Sequence, residues 1–195
     1  MSDVTLILAS SSPRRRQLLE EAGYRFEVDP SDFDEPGPDP DEPAAVYVAR
    51  MAWSKARSVA TRRGEGLVLG ADTACEVDGE ILGKPVDRAD AVRMLSLQDG
   101  REIEVVTGLC LMKAGASEWV GAVEVGVCRF RAMDEAERTA YLDSGRWRGK
   151  AGGYGVQDPD PVATIVRGTW SNVVGLPIER LAELLRDYPG LTRRP

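Results

Sequence analysis

The sequence predicts an α/β protein, with strands and helices alternating along the chain, on three observations. An apolar run at residues 5–9 passes through three serines straight into a proline-started helix. A helical stripe over 41–62 leads into a second apolar run beginning at Leu67. Two Val-rich stretches, 102–112 and 119–130, read as paired strands and are followed by a capped helix. At 195 residues with 43% apolar side chains, the chain fits one domain spanning 1–195 and can bury a core without disulfides.

Composition closes several routes. There is no histidine, so a Ser-His-Asp triad, a Cys-His pair and a His-ligated zinc are all excluded. Acid–base or metal chemistry must use carboxylates, lysines or water, and a hard, oxygen-preferring cation such as Mg²⁺ or Mn²⁺ is the natural metal. A net charge of −7 argues against nucleic acid as a partner but allows a phosphate substrate where cations gather locally. No apolar run reaches the ~18 residues of a membrane span. No signal-peptide pattern is visible either, so a cytoplasmic protein without a membrane partner is expected. Cys75, Cys110 and Cys128 lack metal or redox spacing and read as reduced core thiols.

The first strand ends at Ser10-Ser11-Ser12, where Ser12 is a good N-cap and Pro13 a good first helical residue. A strand running into a helix start leaves unpaired N–H groups at the positive end of the dipole. That is an anion-binding arrangement, flanked here by Arg14, Arg15 and Arg16. The same residues also describe an ordinary capped, basic helix start, and the segment alone does not choose. A second strand is expected over 24–29. Residues 30–43 carry five prolines with Asp32, Asp34 and Glu35, and read as a solvated acidic loop unless one carboxylate faces the serine turn.

The helix over 41–62 carries the stripe Ala45, Val48, Ala49, Ala52, Ala56 and Val59. Lys55 lies on or beside that stripe, and either snorkels to water or points into a cleft. Leu67-Val68-Leu69-Gly70-Ala71-Asp72-Thr73 reads as a buried strand delivering Asp72 at its C-terminal edge, where open sheets place ligands, or as a strand that merely turns there. Asp78-Gly79 marks a tight hairpin between 74–77 and 80–82, which returns Lys84 towards Asp72. A helix from Asp87 to about Leu97 follows, then the strand pair around Gly115, whose imperfect alternation suggests burial on both faces. The helix over 134–144 has Asp134 and Glu137 at capping-box spacing. Residues 149–155 hold four glycines and no Walker A pattern. A short strand over 162–166 and a helix started by Pro177, with Ile178, Leu181, Leu184 and Leu185 inward, precede a tail at 191–195.

Five stretches, in order, resemble the Maf family of nucleoside triphosphate pyrophosphatases. They are Ser10-x-Ser12-Pro13-Arg14-Arg15; Ala71-Asp72-Thr73 with Gly83-Lys84-Pro85; Val106-Thr107-Gly108; Lys150-Ala151-Gly152-Gly153-Tyr154-Gly155-x-Gln157; and Asn172-Val173-Val174-Gly175-Leu176-Pro177. The resemblance implies an α/β fold built on an elongated twisted mixed sheet flanked by helices, with two lobes and a cleft. It implies a cytoplasmic enzyme, often a homodimer, that uses a divalent cation (Mg²⁺ or Mn²⁺) to split a nucleoside triphosphate into monophosphate and pyrophosphate. By the same resemblance, Ser10, Ser12 and Arg14 bind the triphosphate, Glu35, Asp72 and Lys84 form the catalytic group, and Lys55 is a further phosphate-side cation. Arg15, Thr73 and Gln157 match the branch that prefers dTTP and UTP. Four positions depart from the family pattern: Ile103 where His is frequent, Gly126 near a usual Thr, Arg146 where Glu is common, and Asp158 where Gly is usual.

The chemistry expected from these residues has Glu35 and Asp72 holding the metal and a water. Asp72 serves as base for attack on the α-phosphorus, and Lys84 stabilises charge on the transferring group. The rival from another class is a nucleotide-binding regulatory protein with little or no turnover, motivated by Arg146. A triphosphatase releasing orthophosphate and a purine-directed pyrophosphatase are further alternatives, separable by product and substrate analysis.

Overall fold

Strand pairing in the computed structural model, which describes residues 4–159 and 161–188, produces one seven-stranded mixed sheet. The strands are β1 (Leu6–Leu8), β2 (Phe26–Val28), β3 (Leu67–Val77), β4 (Glu80–Leu82), β5 (Glu102–Lys113), β6 (Trp119–Phe130) and β7 (Ala163–Arg167). Their order is β2-β1-β3-β5-β6-β7, with β4 also paired to β3. The helices are α1 (Pro13–Glu21), α2 (Ala44–Arg62), α3 (Arg88–Gln98), α4 (Glu135–Asp143), α5 (Trp170–Val174) and α6 (Ile178–Leu184). None is long and apolar enough to cross a membrane. The expected tail at 191–195 lies outside the described residues.

The alternation of β3 explains the layers. Val68 and Ala74 point towards α2, packing with Val48, Ala52, Ala56 and Val59. Leu67, Leu69 and Ala71 point to the other face, where they meet Leu18 and Leu19 of α1 and Leu181 of α6. Cys75 and Val77 share that second face but join a separate cluster with Leu95 of α3 and Leu142 of α4. The two clusters are the two lobes, and the hydroxyls of Thr73 and Thr107, 3.0 Å apart, lie between them. Fully buried Leu and Ile side chains such as Leu6, Leu69, Leu95 and Ile103 each contribute about 1.5–3 kcal/mol relative to exposure.

The edge of β3 explains the cleft. On one side β5 pairs with it without interruption from Leu67 to Glu76. On the other side β1 pairs only with Leu67–Leu69 and β4 only with residues 75–77. Residues 70–74 therefore have no strand neighbour on that edge, and the cleft opens there. This corrects the expectation that a short strand ends at Asp72–Thr73. Continuous pairing to β5 carries the strand through, so Asp72 sits in mid-strand beside a gap.

Several smaller expectations also change. Helix α2 begins at Ala44 after Pro43, so Asp41 lies outside it, Ala45 is exposed and Met51 takes a place in the stripe. Strand β6 is only partly buried, unlike β5, because little of the described chain covers its outer half. Helix α5 was not expected: five residues carry too little periodicity to be seen. Pro177 stands at the N-cap of α6 rather than inside it, and of the four inward residues expected there only Leu181 and, just past the helix, Leu185 are buried. The hairpin at Asp78-Gly79 forms as read, with both residues at positive φ. The capping box of α4 is complete, Asp134 and Glu137 each closing on the other's backbone N–H.

Candidate active site

The ten residues that the resemblance assigned to catalysis or substrate binding all line one cleft of about 420 Å³: Ser10, Ser12, Arg14, Arg15, Glu35, Lys55, Asp72, Thr73, Lys84 and Gln157. Its first wall is the turn from β1 into α1. Ser12 occupies the N-cap position with extended backbone, but its hydroxyl makes no capping bond. Instead the Ser12 N–H donates to Ser10 Oγ at 3.2 Å, and the first helix N–H bonded within the helix is that of Arg16, to Ser12 O at 3.2 Å. The expected side-chain cap is therefore absent, and the N-terminal donors of α1 are left for a ligand.

The three arginines divide. Arg16 turns away to Glu20 on the helix surface, so it adds nothing to the cleft. Arg14 reaches across and donates to Gly149 O at 2.7 Å, joining the turn to the glycine-rich loop. Arg15 donates to Ala71 O (2.8 Å), Gly175 O (2.9 Å), Thr73 Oγ1 (3.1 Å) and Ser10 Oγ (3.3 Å). A guanidinium has five N–H groups, so a single donor of Arg15 remains for anything else. It ties the turn, β3 and the loop after α5 into one frame. Thr107 continues that frame, its hydroxyl donating to Asn172 O at 3.2 Å. Neither Thr107 nor Asn172 carried an expected role beyond its place in a motif.

The opposite wall is a lysine between two acids. Lys55 Nζ donates to Asp72 Oδ1 at 2.6 Å and lies 2.9 Å from Glu35 Oε2, while Lys84 Nζ lies 3.6 Å from the same Glu35 oxygen. Lys55 is 4% exposed, so it does not snorkel. Glycines put it there. A Cβ on Gly70 would fall 2.8 Å from Ala56 N, and one on Gly108 would fall 2.9 Å from Ala49 N, both inside contact distance. Their absence lets α2 lie flush on β3 and β5, which brings Lys55 down to Asp72. Of Asp32, Asp34 and Glu35 only Glu35 lines the cleft; Asp32 is taken by Ser58 and Arg62. Burial pushes the Glu35 carboxyl up, but Lys55, Lys84 and Arg15 outweigh it and hold Glu35 below the usual carboxylate range.

The glycine-rich loop closes the third side. Lys150 donates to both Asp158 oxygens, at 2.6 and 2.5 Å, and Tyr141 donates to Asp158 at 2.9 Å. Burial lowers the proton affinity of Lys150 and Asp158 opposes this. Asp158, at a position where the resemblance led a glycine to be expected, is thus a carboxylate that pins the loop to α4. Gln157 is exposed at the loop's rim. Arg146 does not line the cleft; its guanidinium lies 5.1 Å over the Tyr141 ring. Ile103 is buried in the inner end of the cleft, and Gly126 is packed under Asn172 and Val173 of α5.

A divalent cation needs oxygen ligands. Among the described residues no group of three or more carboxylate, thiol or imidazole side chains forms a ready cage. Glu35 and Asp72, two hard oxygen donors that both lie against Lys55 Nζ, fit an ion whose remaining ligands are phosphate oxygens and water. They do not fit an ion held by protein alone.

Comparison with known proteins places this geometry. The family model described as Maf-like protein matches residues 5–188. A protein of Rhodopirellula baltica named dTTP/UTP pyrophosphatase is 48% identical over 94% of this chain and 82% of its own length. Proteins of the same name from Anaeromyxobacter sp. and Ruminiclostridium cellulolyticum are 45% and 40% identical, over 93% and 92% of this chain and 88% and 94% of theirs. A crystal structure of a nucleoside-triphosphatase / dITP/XTP pyrophosphatase from Mycobacterium abscessus aligns over 95% of this chain and 96% of that one, at 14% identity and a TM-score of 0.45, a likeness too low to bear on function. With a family model spanning nearly all of its length and relatives this similar end to end, the chain belongs to the Maf family.

Proposed function

We propose that this protein hydrolyses nucleoside triphosphates, dTTP and UTP foremost, to the monophosphate and pyrophosphate, with a divalent cation as cofactor. The observation that carries the reading is the meeting of Lys55, Asp72, Glu35 and Lys84 with the open start of α1 in a single cleft. A triphosphate carries about four negative charges, and a cation about 4 Å from a phosphate oxygen is worth roughly 4 kcal/mol at an effective dielectric near 20. Arg14, Lys55, Lys84 and the donors of Ser10, Ser12 and the α1 terminus supply that compensation in an otherwise acidic molecule.

Glu35 and Asp72 would hold the cation, which when bound neutralises phosphate charge and acidifies water. Asp72 keeps one oxygen on Lys55; Oδ2 makes no bond among the described residues and is the atom that takes a proton from the attacking water. Lys84, 55% exposed at the mouth, can follow the charge that develops on the leaving pyrophosphate. Arg15 holds the turn and Thr73 in register, so the α-phosphorus is presented to Asp72 from a fixed platform. The test is to incubate the purified protein with a panel of ordinary and modified triphosphates plus Mg²⁺ or Mn²⁺ and identify both products by chromatography. Pyrophosphate and monophosphate from dTTP and UTP are expected. Orthophosphate as sole inorganic product, or binding without turnover, sinks the proposal.

A further inference from the structure

The cleft has a charged end and an apolar end. The charged end is the serine turn with Lys55, Asp72, Glu35 and Lys84. Beyond Thr73 the lining changes to Cys75, Ile103, Val105, Cys128 and Phe130, all buried and uncharged. Burial pushes the Cys75 and Cys128 thiols up to about 12 and about 11, so at neutral pH both remain neutral walls.

One polar atom interrupts this surface. Gln98, the last residue of α3, lines the same cleft and is 1% exposed. Its Nε2 donates to Met94 O at 3.0 Å and to Gly152 O at 2.6 Å, which fixes which way round the carboxamide sits. Its Oε1 is buried with no hydrogen-bond partner. A buried carbonyl oxygen left unpaired is costly, and native interiors rarely tolerate one. Gly152, at φ +63, packs against this amide: a Cβ there would fall 2.9 Å from Gln98 Oε1 and 3.3 Å from Cys75 Sγ.

We infer that Gln98 Oε1 is the acceptor that reads the base, taking a hydrogen bond from the ring N–H of a uracil or thymine seated against the apolar end. The inference rests on the triphosphate reading above and names the part of the substrate that the far end of the cleft selects. A flat neutral ring suits neutral apolar walls. Uracil and thymine carry an N3–H donor between two carbonyls. Cytosine presents a bare N3 lone pair at that position, which would face the lone pairs of Oε1. Gln98 is then a specificity-determining residue, remote from the phosphates.

The test measures pyrophosphate release by the wild-type and Gln98→Met proteins from UTP, N3-methyl-UTP and CTP. The wild type should favour UTP over either competitor by about 10- to 100-fold in kcat/KM, the effect of leaving one buried group unpaired. Both preferences should collapse in Gln98→Met. Losing the two Nε2 bonds to the backbone would slow all three substrates by a common factor, so the ratios isolate Oε1. Equal use of UTP and N3-methyl-UTP by the wild type overturns the inference, as do ratios that survive Gln98→Met. Failure to release pyrophosphate from any triphosphate overturns the activity reading itself.

Discussion

Lys55 is held by two carboxylates that the molecule builds in opposite ways. Asp72 comes from the middle of an eleven-residue strand and its side chain is 7% exposed; Glu35 comes from a proline-rich loop and is 40% exposed. Their distances to the ammonium are nearly equal, 2.6 and 2.9 Å. What differs is the support behind each. Asp72 is fixed by uninterrupted pairing of β3 to β5 and by α2 pressed onto Gly70 and Gly108, whereas Glu35 is fixed mainly by the lysines it faces. A group that must meet one phosphorus atom within a fraction of an ångström belongs on the sheet, and one that gathers charge can ride a loop.

The largest effect expected from this asymmetry is on turnover. Asp72→Asn keeps the size of the side chain and its bond to Lys55 but removes the base, and should cut pyrophosphate release by about 10²–10⁴-fold at saturating substrate. Glu35→Gln should cost less in kcat and more in KM. Steady-state kinetics on both variants decides, and an equal or larger kcat loss at Glu35 would assign the chemistry to the loop.

Stability should separate the two walls next. Gly70→Ala drives a methyl into the Ala52 carbonyl and the α2 backbone, and should destabilise by about 3 kcal/mol, the upper end of overpacking costs. Gly83→Ala, beside Lys84 with open space around it, should stay within about 0.5 kcal/mol. Urea midpoints measure both. If Gly70→Ala is neutral, α2 floats on the sheet and Lys55 is not positioned by it.

The same asymmetry decides what could be read from the sequence. Strands β5 and β6, the hairpin at Asp78-Gly79 and the α4 capping box follow from local rules, and the structure has them within a residue or so. Asp72 was legible as an acid at a sheet's ligand edge, but its place in mid-strand was not, because the gap between β1 and β4 is a product of pairing and leaves no mark in the run 67–77. Glu35 could not be told from Asp32 and Asp34 by residue chemistry; the resemblance chose it, and the structure turns it alone to Lys55. Arg15 read as a ligand-binding cation, while four of its five donors are taken within the protein, two of those bonds going to backbone carbonyls 56 and 160 positions away. Gln98 carried no signal at all. An orphan acceptor exists only once the backbone of Gly152 has claimed the other half of the amide.

The smallest expected effect is in the pH dependence of folding, and it concerns the loop acid. Burial raises the Glu35 carboxyl, and Lys55, Lys84 and Arg15 more than reverse that, so its folded-state value lies below the unfolded one near ~4.3. The folded protein therefore prefers the ionised carboxylate. That preference stabilises fully above the unfolded value and is lost as pH falls through the depressed folded value. Because the side chain is 40% exposed, solvent screens the pair and the gain is under about 1 kcal/mol. Glu35→Gln should lower the urea midpoint slightly at about pH 7, with the gap to wild type narrowing as the pH is taken towards about 3. A gap that stays constant over this range would mean that charge does not hold the loop at Lys55. Glu35 would then be as preset as Asp72, and the division between a fixed acid and a gathered one would fail.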